Sequence, residues 1–236
     1  MLDTYRAVFR VPGSAAFCAA GFVLRYASAM YPIGLVLLVS MHTGRYSFAG
    51  VLSGCYIVAN GVGTPLLARA VDRYGQSRVL LPVALAHIVA VAALVALVKT
   101  HAPQWTFVPP TALAALAYPA TGPMVRARWS FVMGGRPELS TAYSLESTLD
   151  EVMYTSGPMI TTVLATTLDP ALVFALGAAL VLGGSWSLTG QRGTEPPPQP
   201  AGAPAHRSAL RYPGMLLLAF VGAGMGGVLA GMDVDS

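Results

Sequence analysis

The sequence predicts an all-α transmembrane fold, a six-helix bundle followed by a seventh helix. Of the 236 residues, 55% are hydrophobic and 10% are charged, and the mean hydropathy is +0.61. A soluble domain carries about 25% charged residues, so this chain has too few to cover a soluble surface. The composition therefore argues against a soluble enzyme. The net charge of +4 comes from scattered basic residues, which argues against a nucleic-acid partner.

Seven apolar segments are each long enough to cross a lipid bilayer, which takes about 20 residues. They cover residues 13–40, 48–68, 79–98, 105–124, 139–167, 170–189 and 213–232. Glycine and proline lie inside several segments, as membrane helices tolerate. The first segment contains Ala27-Ser28-Ala29, which mimics a signal-peptide cleavage site, but Arg25 precedes it and the apolar run then resumes. An uncleaved first span is therefore predicted.

The distribution of basic residues predicts the orientation and the domain boundaries. One set of loops holds eleven arginines, whereas the opposite loops hold only Arg45 and Lys99. Basic loops stay in the cytoplasm, so we expect a multi-pass protein of the cell membrane with a cytoplasmic N-terminus. Residues 190–212 are rich in proline and glycine, which predicts a flexible or extended cytoplasmic linker. The linker divides a bundle over 1–189 from an incomplete second bundle over 213–236.

The loop between the second and third segments carries a distinctive pattern of charges. It has the sequence Ala68-Arg69-Ala70-Val71-Asp72-Arg73-Tyr74-Gly75-Gln76-Ser77-Arg78. This resembles the signature loop of the major facilitator superfamily, G-x-x-x-D-R-x-G-[RK]-[RK], and Asp72, Arg73 and Gly75 match it. Ala68 replaces the first glycine, and Arg78 stands one place after the basic pair. The family uses this loop to latch its two halves, and the resemblance assigns that role to Asp72, Arg73, Gly75 and Arg78.

The fifth segment carries a second, shorter resemblance to the same family. Gly157-Pro158 resembles the tail of the family's antiporter motif, although the earlier glycines of that motif are missing. The resemblance implies secondary active transport of a small-molecule substrate by alternating access, as ion-gradient-coupled efflux, with protons as one candidate ion. Such transporters have two six-helix halves. The chain is then expected to be a truncated member that lacks most of its second half.

Four charged residues fall inside the predicted spans. Arg25 lies about 18 Å along the first span, and Asp150 and Glu151 lie about 17–18 Å along the fifth. A charge at the bilayer centre costs about 2.5–3.5 kcal/mol and therefore faces a partner or water. We predict that Arg25 pairs with Asp150 or Glu151, and that Glu146 shares a helical face with Asp150. Three acids against one arginine leave a negative excess, which would allow one acid to bind a proton during transport. A purely structural polar cluster is the open alternative.

Two further signals are assigned structural roles. His87, inside the third segment, is predicted to be a hydrogen-bonded packing residue, with proton relay as the alternative. Arg126-Ala127-Arg128, after the fourth segment, is predicted to anchor the chain at the cytoplasmic membrane surface, with substrate contact as the alternative.

Other classes of membrane protein receive less support from the sequence. The motifs G-x-S-x-G and H-E-x-x-H do not occur, so no enzyme activity is expected. Cys18 and Cys55 lie inside apolar runs, and no metal site or cofactor is expected. The single lysine, Lys99, ends the third segment and is not placed to carry a retinal Schiff base. The alternative function is a non-transporting membrane scaffold or a partner subunit.

Overall fold

The computed structural model describes residue 6 and residues 8–199. The regular secondary structure of this part of the chain is all helical, with no strand. Its helices are α1 (Ser14–Thr43), α2 (Tyr46–Tyr74), α3 (Gln76–Lys99), α4 (Val108–Leu116), α5 (Thr121–Met133), α6 (Leu139–Thr167) and α7 (Pro170–Gly190), with 3₁₀ turns at Gln104–Phe107 and Arg192–Thr194. The predicted seventh segment, 213–232, and most of the predicted linker lie outside the described residues.

Helices α1, α2, α3 and α7 are long and apolar enough to cross a membrane. Helix α6 has 29 residues and is therefore about 43 Å long, but it carries three carboxylates. Helices α4 and α5 have 9 and 13 residues, and each is too short to span a bilayer alone. The described chain is thus all-helical, with four helices that are typical of a membrane protein.

Helix α1 lies at the centre and packs against α7, α6 and α2. Glycines allow the backbones to approach closely at these crossings. A Cβ atom placed on Gly34 of α1 would lie 2.8 Å from the Val173 side chain of α7. One placed on Gly157 of α6 would lie 2.7 Å from the Cβ of Ala29. Small residues at such crossings are the usual means of packing membrane helices.

The predicted fourth span, 105–124, is not one continuous helix, and that prediction was wrong. Helix α4 ends at Leu116, the chain is non-helical over 117–120, and α5 then continues to Met133. The cause is Pro119, which has no amide hydrogen to donate to the helical acceptor four residues earlier. The segment is a broken helix that extends nine residues beyond the predicted end.

Side chains from neighbouring helices bind the carbonyl groups that this break releases. The Ala115 carbonyl accepts a hydrogen bond from Asn60 Nδ2 at 3.3 Å, and the Ala114 carbonyl accepts one from His87 Nδ1 at 2.7 Å. Backbone carbonyl and amide groups inside a bilayer need hydrogen-bond partners from the protein, because no water is present to bind them. The break is therefore stabilised by α2 and α3 together.

An ion pair joins α3 to the start of α7 at the end of the bundle opposite the linker. Lys99 Nζ lies 2.7 Å from Asp169 Oδ2, and Asp169 Oδ1 accepts a hydrogen bond from the Ala171 amide at 2.8 Å. Asp169 is thus both an ion-pair partner and the N-cap of α7.

We expect Asp169→Asn to reduce the pH dependence of stability in acid. The hydrogen bond from Lys99, and then the one from Ala171, holds the pKa of Asp169 below its usual 3.8. A lowered folded-state pKa means that the stabilisation is present above pH 3.8 and is lost as the pH falls through the folded-state value. The two side chains are 43% and 40% exposed, so solvent screening limits the ion pair to less than about 1 kcal/mol. Unfolding midpoints between pH 6 and pH 2 should decline less for the variant than for the wild type. Equal declines would contradict this assignment.

Candidate functional site

A cluster of charged side chains lies between α1, α5 and α6. Its centre is Arg25, which is only 5% exposed. Arg25 Nη2 forms an ion pair with Glu146 Oε2, and Arg25 Nη1 lies 2.9 Å from Asp150 Oδ1. Arg25 Nε donates a hydrogen bond to the Gly21 carbonyl at 3.2 Å. One arginine on α1 therefore contacts two carboxylates that lie one turn apart on α6.

Glu146 is fully buried, and both of its carboxylate oxygens have partners. One oxygen contacts Arg25, and the other accepts a hydrogen bond from Trp129 Nε1 at 2.7 Å. The Trp129 ring packs edge-on against Phe17, with ring centroids 4.6 Å apart. This arrangement fixes the indole donor and, through it, the carboxylate.

Asp150 connects this buried pair to the exposed surface of the bundle. Its side chain is 27% exposed, and its second oxygen lies 3.7 Å from Nη2 of Arg126 on α5. Glu151 is exposed, and its carboxylate has no ion-pair partner among the residues described here. The three acids and two arginines of this region leave one negative charge in excess. Of the two partners predicted for Arg25, the structure places Asp150 in contact with it and leaves Glu151 on a different face.

Helix α6 exposes a polar face that begins at the level of this cluster and continues along the helix. Its exposed polar residues include Ser144, Ser147, Thr148, Glu151, Thr155, Thr162 and Thr166. Arg25 lies 11 residues after Ser14, about 16 Å along a helix of about 45 Å, so it falls within the central 30 Å that a bilayer would cover. Its partners on α6 must lie at the same depth. A bilayer that covered the middle of α1 would therefore also cover the part of α6 around Glu146 and Asp150.

A second polar cluster lies six residues further along α1, around Tyr31. The Tyr31 ring stacks on Phe174 of α7 with centroids 5.5 Å apart, and its hydroxyl lies 3.1 Å from His87 Nε2. His87 Nδ1 must carry a hydrogen because its partner is the Ala114 carbonyl. His87 Nε2 then accepts from the Tyr31 hydroxyl. The contacts made by His87 agree with the packing role, because both ring nitrogens have partners.

The predicted latch loop lies between α2 and α3, and its charged side chains are exposed. Asp72, Arg73 and Arg78 all face outward. Gly75 ends α2 and precedes α3 with φ of +88°, a conformation that favours glycine. The Arg73 guanidinium lies 5.3 Å from the centroid of the Tyr74 ring. The loop is close in space to residues 195–199, because Gln199 donates its amide hydrogen to the Asp72 carbonyl at 2.8 Å.

The Gly157-Pro158 pair lies inside α6, one turn and a half beyond Glu151. Gly157 is buried against Ala29 of α1, and Pro158 lies within the helix. In this structure the pair is a site of close helix packing. Next to it, the Tyr26 hydroxyl of α1 lies 2.6 Å from the Ser156 hydroxyl.

Arg128 is fully buried, and its predicted role as a surface anchor was wrong. The extension of α5 to Met133 carries Arg128 under the last turn of α7. Its guanidinium donates to Gln76 Oε1 at 2.7 Å, to Leu188 O at 3.0 Å, and to both Gln191 O at 2.9 Å and Thr194 Oγ1 at 2.8 Å. None of these acceptors is charged. The sequence carried no signal for this role, since it depends on how far α5 extends.

Arg126 and Trp129 are two further site residues that sequence reasoning missed. Both lie in the extension of α5 and would have been outside a span ending at 124. Their contacts with Asp150 and Glu146 could be inferred only if α5 were known to continue as a helix through these positions. Among the described residues, no group of three or more His, Cys, Asp or Glu side chains could hold a metal ion.

The described residues form an all-helical protein with four helices long and apolar enough to cross a membrane and with a buried charge cluster. Comparisons of the chain with protein-family models, with curated proteins and with solved structures found no match.

Proposed function

We propose that the chain is the first bundle of a secondary active transporter of the major facilitator type. In this proposal the transporter moves a small organic solute by alternating access, in the direction of efflux, and an ion gradient supplies the energy. The observation that carries the proposal is the polar face of α6. Its hydroxyl groups donate to carbonyls four residues earlier in α6, as Ser144, Thr148 and Thr166 do. The cost of facing lipid therefore comes from the exposed carboxylate of Glu151.

A water-filled cavity is the environment that fits this face best. Its residues are exposed, so no part of the described bundle covers them. A groove of about 390 Å³ follows the same face and is lined by Thr148, Glu151, Thr155 and Met159, together with Val152 and Ser156. Polar and ionisable residues within membrane helices typically line solute and ion pathways.

The charge cluster beside the cavity supports coupling to an ion gradient. Asp150 is partly exposed and contacts both the buried Arg25 and the more exposed Arg126. A proton that neutralised Asp150 would weaken its attraction to Arg25 and Arg126 and would loosen the contact between α1, α5 and α6. Protonation of Asp150 would in this way be transmitted to helix packing.

The loop between α2 and α3 supports the choice of family. Its motif residues stand at the expected position, between the second and third helices, and their charged side chains are free to contact another domain. On this proposal the contact partner belongs to a second bundle. That bundle would also cover the exposed faces of α2 and α6.

Chemical labelling from each side of the membrane tests this proposal. We would introduce Thr155→Cys on α6 and, as the control, Val89→Cys on α3, whose side chain is 67% exposed and apolar. Both variants would carry Cys55→Ser, and Cys18 is already buried. The full chain would be treated with a membrane-impermeant maleimide in right-side-out and inside-out vesicles.

Alternating access predicts that Thr155→Cys is labelled from both sides, whereas Val89→Cys is labelled from neither. Labelling of Thr155→Cys from one side only would contradict alternating access and would indicate a fixed pocket. Labelling from neither side would place α6 against a protein partner or lipid, as expected for a membrane scaffold or partner subunit.

A further inference from the structure

The segment that follows α7 crosses the end of the bundle instead of leaving it directly. Residues 191–199 pass α5, then the start of α3, and reach the end of α2 at Asp72. We call this segment the strap. We propose that the strap is a detachable lock, which in its docked state holds the loop over 72–78 against the end of α7 and which opens without unfolding the bundle.

Arg128 fixes the first end of the strap. Two of its acceptors, the Leu188 and Gln191 carbonyls, belong to the last turn of α7 and its C-cap, where the helix dipole favours a cation. Gln191 is also the first residue of the strap, and a third acceptor, Thr194 Oγ1, lies three residues further along it. The same guanidinium therefore binds the carbonyl groups at the end of α7 and holds the first residues of the strap.

Glu195 fixes the middle of the strap. Its Oε1 accepts a hydrogen bond from the Ser77 amide at 2.9 Å and one from the Ser77 hydroxyl at 3.3 Å. Ser77 lies in the first turn of α3, where the helix has free amide groups and favours a negative charge. Gly75 allows this approach, because a Cβ atom at that position would lie 3.0 Å from the same carboxylate oxygen.

Polar contacts, and not apolar burial, hold the rest of the strap. A cavity of about 250 Å³ lies beneath Pro196 and Pro197, between the strap and the walls formed by α2 and α5. Pro197 and Gln199 are exposed, and the last contact is the hydrogen bond from Gln199 to Asp72. Segments with few buried apolar contacts open locally at low cost. Opening would uncover the cavity and free the loop.

The strap's existence does not depend on transport, but its role rests on the proposed function. If the loop over 72–78 is the contact between two transporter halves, the docked strap restrains that contact. A pull on the strap would then act on the loop instead of on α7.

Limited proteolysis of the full chain in detergent micelles tests the lock. Trypsin cleaves after Arg192, which lies in the strap, and a protease must pull several residues into an extended form before it can cut. We expect Glu195→Gln to raise the initial rate of this cleavage about tenfold, which corresponds to about 1.4 kcal/mol. The rate follows the population of the open form when opening is fast relative to cleavage. Intact-mass measurement of the fragments identifies the site.

Three further variants separate detachment from general destabilisation. Glu138→Gln removes a carboxylate from the loop before α6, at the same end of the bundle, and should leave the cleavage rate unchanged. Glu195→Asp should recover part of the protection, and Thr194→Val should raise cleavage because it removes a partner of Arg128. Cleavage after Arg45, at the opposite end, should not change in any of them. Wild-type cleavage after Arg192 as fast as that of Glu195→Gln would overturn the proposal, whatever the outcome of the labelling experiment.

Discussion

Arg25→Ala is expected to destabilise the bundle by about 3–5 kcal/mol. The substitution removes the cation that faces Glu146, and this carboxylate is fully buried. The remaining donors to Glu146, the indole of Trp129 and the thiol of Cys18, carry no charge. An unpaired charge in a site of low polarity is much more costly than the loss of a surface ion pair. The measurement is the free energy of unfolding of the purified full chain in mixed detergent micelles.

Arg126→Ala is the matched control for this substitution. Arg126 also faces Asp150, at 3.7 Å, but its side chain is 52% exposed. We expect a change of less than about 1 kcal/mol. A double variant, Arg25→Leu with Glu146→Gln, should recover part of the lost stability, because it removes both members of the buried pair. If Arg25→Ala were no worse than Arg126→Ala, the buried ion pair would not stabilise the bundle.

Gly184→Ala is expected to destabilise the contact between α1 and α7 by about 1–3 kcal/mol. A Cβ atom at this position would lie 2.6 Å from Leu24 Cβ and 2.8 Å from Leu24 N. The second of these neighbours is backbone, so no rotation of a side chain relieves the clash. Helices α1 and α7 would have to separate along a contact that the rest of the bundle depends on.

The neighbouring glycine provides a control with the opposite expected sign. Gly183 lies in the same turn of α7, and a Cβ atom there would meet nothing within 4 Å. Because alanine favours a helix over glycine by about 0.5–1 kcal/mol, Gly183→Ala should leave stability unchanged or raise it. The free energies of unfolding of Gly184→Ala and Gly183→Ala, measured side by side, test whether only the first is destabilising. Equal effects would mean that α1 and α7 do not approach as closely as the structure has them.

The helical fold could be predicted from composition because apolar segments of about 20 residues have few alternatives in a membrane protein. The exception was the fourth segment. Pro119 lies inside an apolar run there, and proline is common enough in membrane helices that its presence alone does not predict a break. The break depends on Asn60 and His87, which bind the freed carbonyls from other helices.

The charge cluster could be predicted only in part. The depth of a residue in a helix follows from its position in the sequence. This was enough to predict that Arg25 lies at the same level as Asp150 and Glu151. Which acid faces Arg25 depends on the rotation of α6 about its axis, and the closest partner proved to be Glu146. Trp129 and Arg126 could not be assigned, because they belong to a part of α5 that lies beyond the predicted span.

The ion pair between Arg25 and Glu146 has a consequence for how the chain enters the membrane during synthesis. The two residues are 121 positions apart. A ribosome that adds about 5–20 residues per second makes Glu146 about 6–24 seconds after Arg25. Throughout that interval α1 carries a charge without its partner, at a cost of about 2.5–3.5 kcal/mol at the bilayer centre. We therefore expect α1 to wait at the membrane surface or beside the insertion machinery, with its arginine reaching toward water, until α6 arrives.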